Sequence, residues 1–217
     1  MTRIAIVLSG CGVFDGSEIH ESVITMLTLD RMGATYQCVA PNIDQAKVVN
    51  HLTQENTEET RNVLVEAARI ARGNIKDMST VSADDFDAVI FPGGFGAASN
   101  LCDFSEKGSA MTVQADVLKF SQGFAAAKKP MGFICISPVM ITQIVGKDVL
   151  QTIGTDEETA NTIAAMGGDH ADCDVNDFVV DETHKVVSTP AYMLAKSIGG
   201  AADGIEKLVE KVLEFLG

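Results

Sequence analysis

Residues 130–144 read PMGFICISPVMITQI, and the whole chain can be read outward from them. Met131–Ile134 is a short continuous apolar run, the mark of a strand buried on both faces. The run stops at a thiol, Cys135, and a Ser-Pro pair follows. Ser137 can cap a helix, and Pro138 suits a first turn, where no needed N–H is lost. The stretch therefore predicts strand, cysteine, tight turn and a short helix over 137–144. This is the arrangement of a nucleophile elbow, which holds a side chain proud of the sheet. A helix N-terminus behind the sulfur favours thiolate over thiol, so Cys135 is expected to be nucleophilic near neutral pH. The plainer reading is a buried apolar cysteine that ends a strand. The stretch alone leaves both open.

The same alternation runs along the whole chain. Arg3–Leu8, "ATYQCVAP" and "FDAVIFPGG" read as strands, and 17–32 reads as a helix with Ile19, Val23, Ile24 and Leu27 on its inward face. Further helices are predicted over 57–73 capped by Thr57, over 112–128, near 156–166 capped by Thr155, and at the C-terminus. "DFVVD" and "KVVSTP" read as a hairpin-like pair. Strands alternating with helices predict an α/β sandwich with a mostly parallel sheet, formed by one domain over 1–217. In such sheets function gathers at the C-terminal strand ends, where three glycine-bearing loops fall: 9–17, 92–96 and 135–138. Residues 41–60 and 97–111 exceed what a minimal sandwich needs and are expected to shape a pocket rim or a dimer contact.

The totals exclude several classes. Of the 217 residues, 46% are hydrophobic and 21% charged, which is ordinary globular composition. A net charge of −14 without a basic cluster argues against nucleic acid and against polyanionic membrane surfaces. The apolar runs are too short to span a bilayer, and "MTRIAIVLSG" reads as a first strand and not as a signal peptide. Cys11, Cys38, Cys102, Cys135 and Cys173 are widely spaced, which fits neither a disulfide framework nor a zinc site. A reducing, cytoplasmic setting is expected.

The other two strand-end loops add candidate groups. In "FPGGFG" (91–96), Gly93 and Gly94 let backbone N–H groups approach a ligand. Either the loop is a plain tight turn, the commoner case for such a stretch by itself, or the N–H groups of Gly94 and Ile136 together form an oxyanion hole over a carbon attacked by Cys135. In "SGCGVFDGSEIHE" (9–21), the glycines follow a strand but are spaced GxGxxxG, and strand two ends without a ribose-binding acid. No dinucleotide cofactor is expected. Glu18, His20 and Glu21 open the next helix. Either they complement its dipole, or one carboxylate turns inward to handle protons beside the thiol.

With these loops in place, the chain resembles the ThiJ/PfpI superfamily, whose fold is shared with class I glutamine amidotransferase domains. "VLSGCGVFDGSEIHE", "NHLTQENTEETRNVLVEAARIARG", "FPGGFGAASNL" and "STPAYMLA" resemble more closely its ElbB subgroup, also called ES1-like. The resemblance covers the whole length and implies a flavodoxin-like three-layer sandwich, commonly a homodimer. It also implies a reactive Cys135, a carboxylate hydrogen-bonded to it at Glu21, a nearby His170, and backbone oxyanion donors at Gly94 and Ile136. Ser137 stands where relatives usually carry Gly. No His follows Cys135, which counts against peptidase activity. "STPAYML" lacks the His and Glu that would release ammonia from glutamine.

Two functions are expected from this site. One is a cofactor-independent glyoxalase, acting on a small dicarbonyl such as glyoxal or methylglyoxal through the Cys135 thiolate, Glu21 and His170, without a metal. Names attached to the family also link it to isoprenoid biosynthesis. The other is a non-enzymatic redox sensor or interaction scaffold in which Cys135 is reversibly oxidised.

Overall fold

The computed structural model describes residues 2–217. Seven strands form the central sheet: β1 (Arg3–Val7), β2 (Thr35–Ala40), β3 (Ile75–Asp77), β4 (Ala88–Phe91), β5 (Met131–Ile134), β6 (Val179–Asp181) and β7 (Val186–Thr189). Their order is β6-β7-β5-β4-β1-β2-β3, and every pair is parallel except the edge pair β6–β7. The β6–β7 pair is the hairpin expected from "DFVVD" and "KVVSTP".

Strand periodicity explains how continuous apolar runs become a two-sided core. Alternate residues point to opposite faces, so Ile4, Ile6, Ile90 and Ile134 join one cluster, while Val7, Val89, Phe91 and Phe133 join the other. One face is covered by α1 (Ile19–Arg31), α2 (Val63–Ile70) and the C-terminal helix (Ile198–Glu214). The other is covered by the helices Ala115–Ala126 and Glu157–Met166 and by the turns after β5. The α/β three-layer sandwich expected from sequence is the observed architecture. Phe91 and Phe133 stack across neighbouring strands with centroids 4.8 Å apart, just beneath the strand ends that carry the loops.

Several local expectations are corrected. The second helix starts at Val63, not near Thr57, because the Asn62 side chain accepts the Val65 N–H and caps it. The residues before Asn62 instead belong to a loop with a short hairpin, Val49–Asn50 against Glu55–Asn56. The helix near 157 is capped by Asp156, whose carboxylate accepts the Thr159 N–H, and not by Thr155.

The face of α1 is also different from its apolar reading. Ile24 is buried, but Ile19, Val23 and Leu27 are 42%, 45% and 42% exposed. The inward face carries Glu21, Ser22, Thr25, Thr28 and Leu29. Its hydroxyls are satisfied within the helix: Ser22, Thr25 and Thr28 donate to the carbonyls of Glu18, Glu21 and Ile24, four residues back. A polar face can be buried when its donors are paired internally.

Candidate active site

Cys135 directly follows β5, and its N–H still donates to Thr189 O, 2.9 Å away, as an extension of the sheet ladder. Its φ is +64°, in the left-handed region that a non-glycine residue occupies at a cost. This is the elbow read from the sequence. The turn behind it is locked by Ser137, whose hydroxyl accepts the Ile134 N–H at 2.8 Å and lies 2.9 Å from both Phe91 O and Ile134 O. Ser137 therefore ties the ends of β4 and β5 together and does not cap the following helix. Ile136 holds the cap position of a 3₁₀ turn, Ser137–Met140, that runs straight into the one-turn helix Ile141–Ile144, so the short helix expected over 137–144 is present. The N–H groups of Gly94 and Ile136 both reach the Cys135 sulfur.

Glu21 arrives at this sulfur from the first turn of α1. It is fully buried, and its side chain is hydrogen-bonded to that of Cys135. Two backbone donors hold it: Gly93 N–H to Oε2 at 2.8 Å and Tyr192 N–H to Oε1 at 3.2 Å. Gly93 lies between the acid and the thiol. A Cβ on it would stand 2.4 Å from Cys135 Cβ and 2.8 Å from Glu21 Oε2. Gly94, at φ +92°, packs as closely against the start of α1, where a Cβ would meet Glu18 N and Gly16 O at 2.4 Å.

Burial, not the helix terminus, sets the protonation of this pair. Desolvation first, and then the Glu18 charge, push the Glu21 carboxyl up to about 8. Desolvation, and then the Glu21 charge, push the Cys135 thiol well above its ordinary range, against the Gly94 and Ile136 N–H groups. The expectation of a freely ionised thiolate near neutral pH is therefore corrected. A 3₁₀ turn followed by one α turn supplies little dipole against full burial, and two adjacent buried groups cannot both carry negative charge. Near neutral pH the pair keeps its protons, and Glu21 is the partner that gives one up first.

His170 is not brought to the thiol. Its side chain is buried beside a short ladder, Leu150–Gln151 with Asp169–His170, where Nε2 accepts the Ile153 N–H at 3.3 Å. Burial lowers its pKa, so the ring is neutral. The residues lining the cavity over Cys135 do not include it.

Two residues not singled out from sequence complete the site. Tyr192 supplies an N–H to Glu21, lines the cavity, and pairs through its hydroxyl with His20 Nδ1 at 2.9 Å. Ala191 before it is also left-handed, with φ +43°. Asn100 clamps the 9–16 loop by donating to Ser9 O and Asp15 O, both at 2.9 Å. Both lie in runs that resemble the subgroup, "FPGGFGAASNL" and "STPAYMLA", but no local pattern marks either residue, because each acts through neighbours far away in the chain. The 97–111 segment does shape the cavity rim, through Ala98, Phe104 and Ser105. Residues 45–51 instead buttress the first loop: Val49 N–H donates to Asp15 Oδ2 at 2.7 Å and His51 Nε2 accepts the Phe14 N–H at 3.3 Å. His51 thus supports that loop from an exposed position. Among the described residues, no group of three or more His, Cys, Asp or Glu is placed to hold a metal ion.

Solved structures superpose on this α/β sandwich. A DJ-1 superfamily protein from Salmonella typhimurium, 19% identical, covers 99% of this chain and 91% of its own with a TM-score of 0.59. An Ehrlichia chaffeensis isoprenoid biosynthesis protein with an amidotransferase-like domain is 36% identical, covers all of both chains and gives a TM-score of 0.94. Two curated proteins are each 43% identical over 225 residues, 99% of this chain and 84% of theirs: the rat mitochondrial ES1 protein homolog and the human mitochondrial glutamine amidotransferase-like class 1 domain-containing protein 3. The chain belongs to this ES1 family of amidotransferase-like proteins. No family model matches it. The names of its relatives point to mitochondria and correct the cytoplasmic expectation. Free thiols report a reducing environment, and several compartments are reducing.

Proposed function

We propose that the chain is a cofactor-independent glyoxalase, converting a 2-oxoaldehyde to the 2-hydroxy acid. The observation that carries this reading is the Glu21–Cys135 pair: a strained thiol hydrogen-bonded to a buried carboxyl whose affinity for a proton is tuned to about 8. A group that both takes and gives a proton near working pH is what an aldehyde-to-acid rearrangement needs.

In the proposed reaction the Cys135 sulfur bonds to the aldehyde carbon. Its proton passes by way of Glu21 to the carbonyl oxygen, giving a hemithioacetal. The Gly94 and Ile136 N–H groups stabilise the charge developing on that oxygen. Glu21 as carboxylate then removes the proton from the former aldehyde carbon, and an enediol forms. Glu21 returns the proton to the neighbouring carbon while the hydroxyl proton on the former aldehyde oxygen passes to the former ketone oxygen, leaving a thioester of the hydroxy acid. The aldehyde carbon is oxidised and the ketone carbon reduced within one molecule, so no external electron carrier takes part. Water cleaves the C–S bond and restores the thiol. His170 has no step in this scheme.

Reversible oxidation is the less well supported reading. It needs a standing thiolate, whereas the Cys135 thiol is pushed up, and it makes no use of the acid paired with it. The test is turnover of methylglyoxal and glyoxal to lactate and glycolate by wild type and Cys135→Ala. Loss of about a thousandfold or more is expected in the variant. Ordinary turnover without the thiol would eliminate the proposal.

A further inference from the structure

The cavity over Cys135 has a volume of about 500 Å³. At about 30 Å³ of liquid volume per water-sized group, glyoxal or methylglyoxal fills roughly a quarter of it. The remaining wall is mainly apolar: Val13, Phe95, Phe104, Ile136 and Met193. Phe95 is 50% exposed at the edge of this space, an aromatic surface left partly open to solvent above the reacting sulfur.

The charge of the wall has one sign. Glu18 and Asp156 line the cavity, and among the described residues no lysine, arginine or histidine does. Lys47 stands against a lining residue, with Nζ 5.6 Å from the Phe95 ring centroid, but is not itself part of the wall. Helix N-termini are the usual neutral source of anion binding, and both long helices that start at this cavity are closed by their own carboxylates. Glu18 Oε2 accepts the Glu21 N–H at 2.7 Å, and Asp156 Oδ1 accepts the Thr159 N–H at 2.9 Å. Hydrogen bonds from Thr159 hold Asp156 below the usual carboxylate range, so it is ionised at neutral pH. A carboxylate or phosphate on the substrate would meet repulsion here and find no counter-charge.

Building on the glyoxalase reading, we propose that the preferred substrate is an uncharged 2-oxoaldehyde carrying an aryl or branched alkyl group, and that anionic analogues are excluded. The apolar group lies against Phe95 and Phe104 while the aldehyde carbon reaches Cys135. Removing apolar surface from water strengthens binding roughly in proportion to area. The carboxylates of Glu18 and Asp156 set the rejection of anions.

The experiment compares kcat/KM for methylglyoxal, phenylglyoxal and 4-carboxyphenylglyoxal. Phenylglyoxal is expected to exceed methylglyoxal by tenfold or more, and the carboxylated compound to fall at least tenfold below phenylglyoxal. Phe104→Ala lowers the phenylglyoxal-to-methylglyoxal ratio. Asp156→Asn, which keeps a capping oxygen, raises the carboxyphenyl-to-phenyl ratio. A flat series, or preference for the carboxylated compound, overturns the proposal.

If no 2-oxoaldehyde is turned over, the glyoxalase reading itself has failed. The character of the cavity is then read from Cys135 alkylation by N-ethyl-, N-phenyl- and N-(4-carboxyphenyl)maleimide, each normalised to a small free thiol. Faster reaction of the phenyl reagent by tenfold, and slowing by the carboxylate, uphold the selectivity. Equal normalised rates overturn it.

Discussion

Two of the four buried thiols of this molecule make an instructive pair. At the end of the short helix Phe95–Ser99, Cys102 is 3% exposed, sits in the larger apolar cluster and donates to Ala97 O. At the end of β5, Cys135 is 7% exposed. Desolvation raises both thiols, Cys102 to about 12. What separates them is what else was buried. The Cys102 region has no titratable partner in hydrogen-bond contact. The Cys135 region has an acid at hydrogen-bond range, two N–H donors, and a backbone bent into the left-handed region. Burial therefore makes a thiol inert unless a proton acceptor is buried with it.

The most severe way to break the contrast is to fill the space between acid and thiol. Gly93→Ala would drive a methyl group into Cys135 Cβ and Glu21 Oε2, and it is expected to cost at least about a hundredfold in turnover. Cys102→Ala is expected to leave turnover within about twofold and to show only as a lower Tm.

Next in size is the pH dependence. Glu21 keeps its proton until about pH 8 instead of losing it near 4.5, so below that pH the pair holds both protons and no base faces the thiol. The rate of Cys135 alkylation by iodoacetamide should rise through about pH 8. In Glu21→Gln that step is absent, so the rise moves to higher pH and the rate at pH 8 falls by roughly tenfold. An unchanged profile would show that the acid does not serve the thiol. The smallest effect sharpens the backbone difference. Cys135→Gly should be more stable than Cys135→Ala by about 0.5–1 kcal/mol, since φ +64° suits glycine. For a domain of this size that is a difference of one to a few degrees in Tm. A lower Tm for the glycine variant would mean that the elbow is not strained.

Much of this site was legible in the chain because its parts are local signals. The apolar run before Cys135, the Ser-Pro pair after it, the glycine pair at 93–94 and the acid at the start of a helix each announce themselves within a few residues. The elbow, the acid and the two N–H groups meet at the Cys135 sulfur. The errors share a cause as well. The inward face of α1 was misread because apolar spacing was followed, and burial of Ser22, Thr25 and Thr28 rests on hydroxyls paired to carbonyls one turn back. His170 was implied only by the resemblance, and the Ile153 N–H holds its ring elsewhere.

By itself the sequence determined a parallel α/β sandwich with a thiol at a strand end, because strand periodicity and turn chemistry are short-range properties. Only the tertiary structure decided which acid serves that thiol and at what pH. Glu21 meets the N–H groups of residues 72 and 171 positions away, and desolvation exists only once those segments have closed around it. The proton affinity of a buried pair belongs to its enclosure, and an enclosure built from distant segments leaves no mark in any one of them.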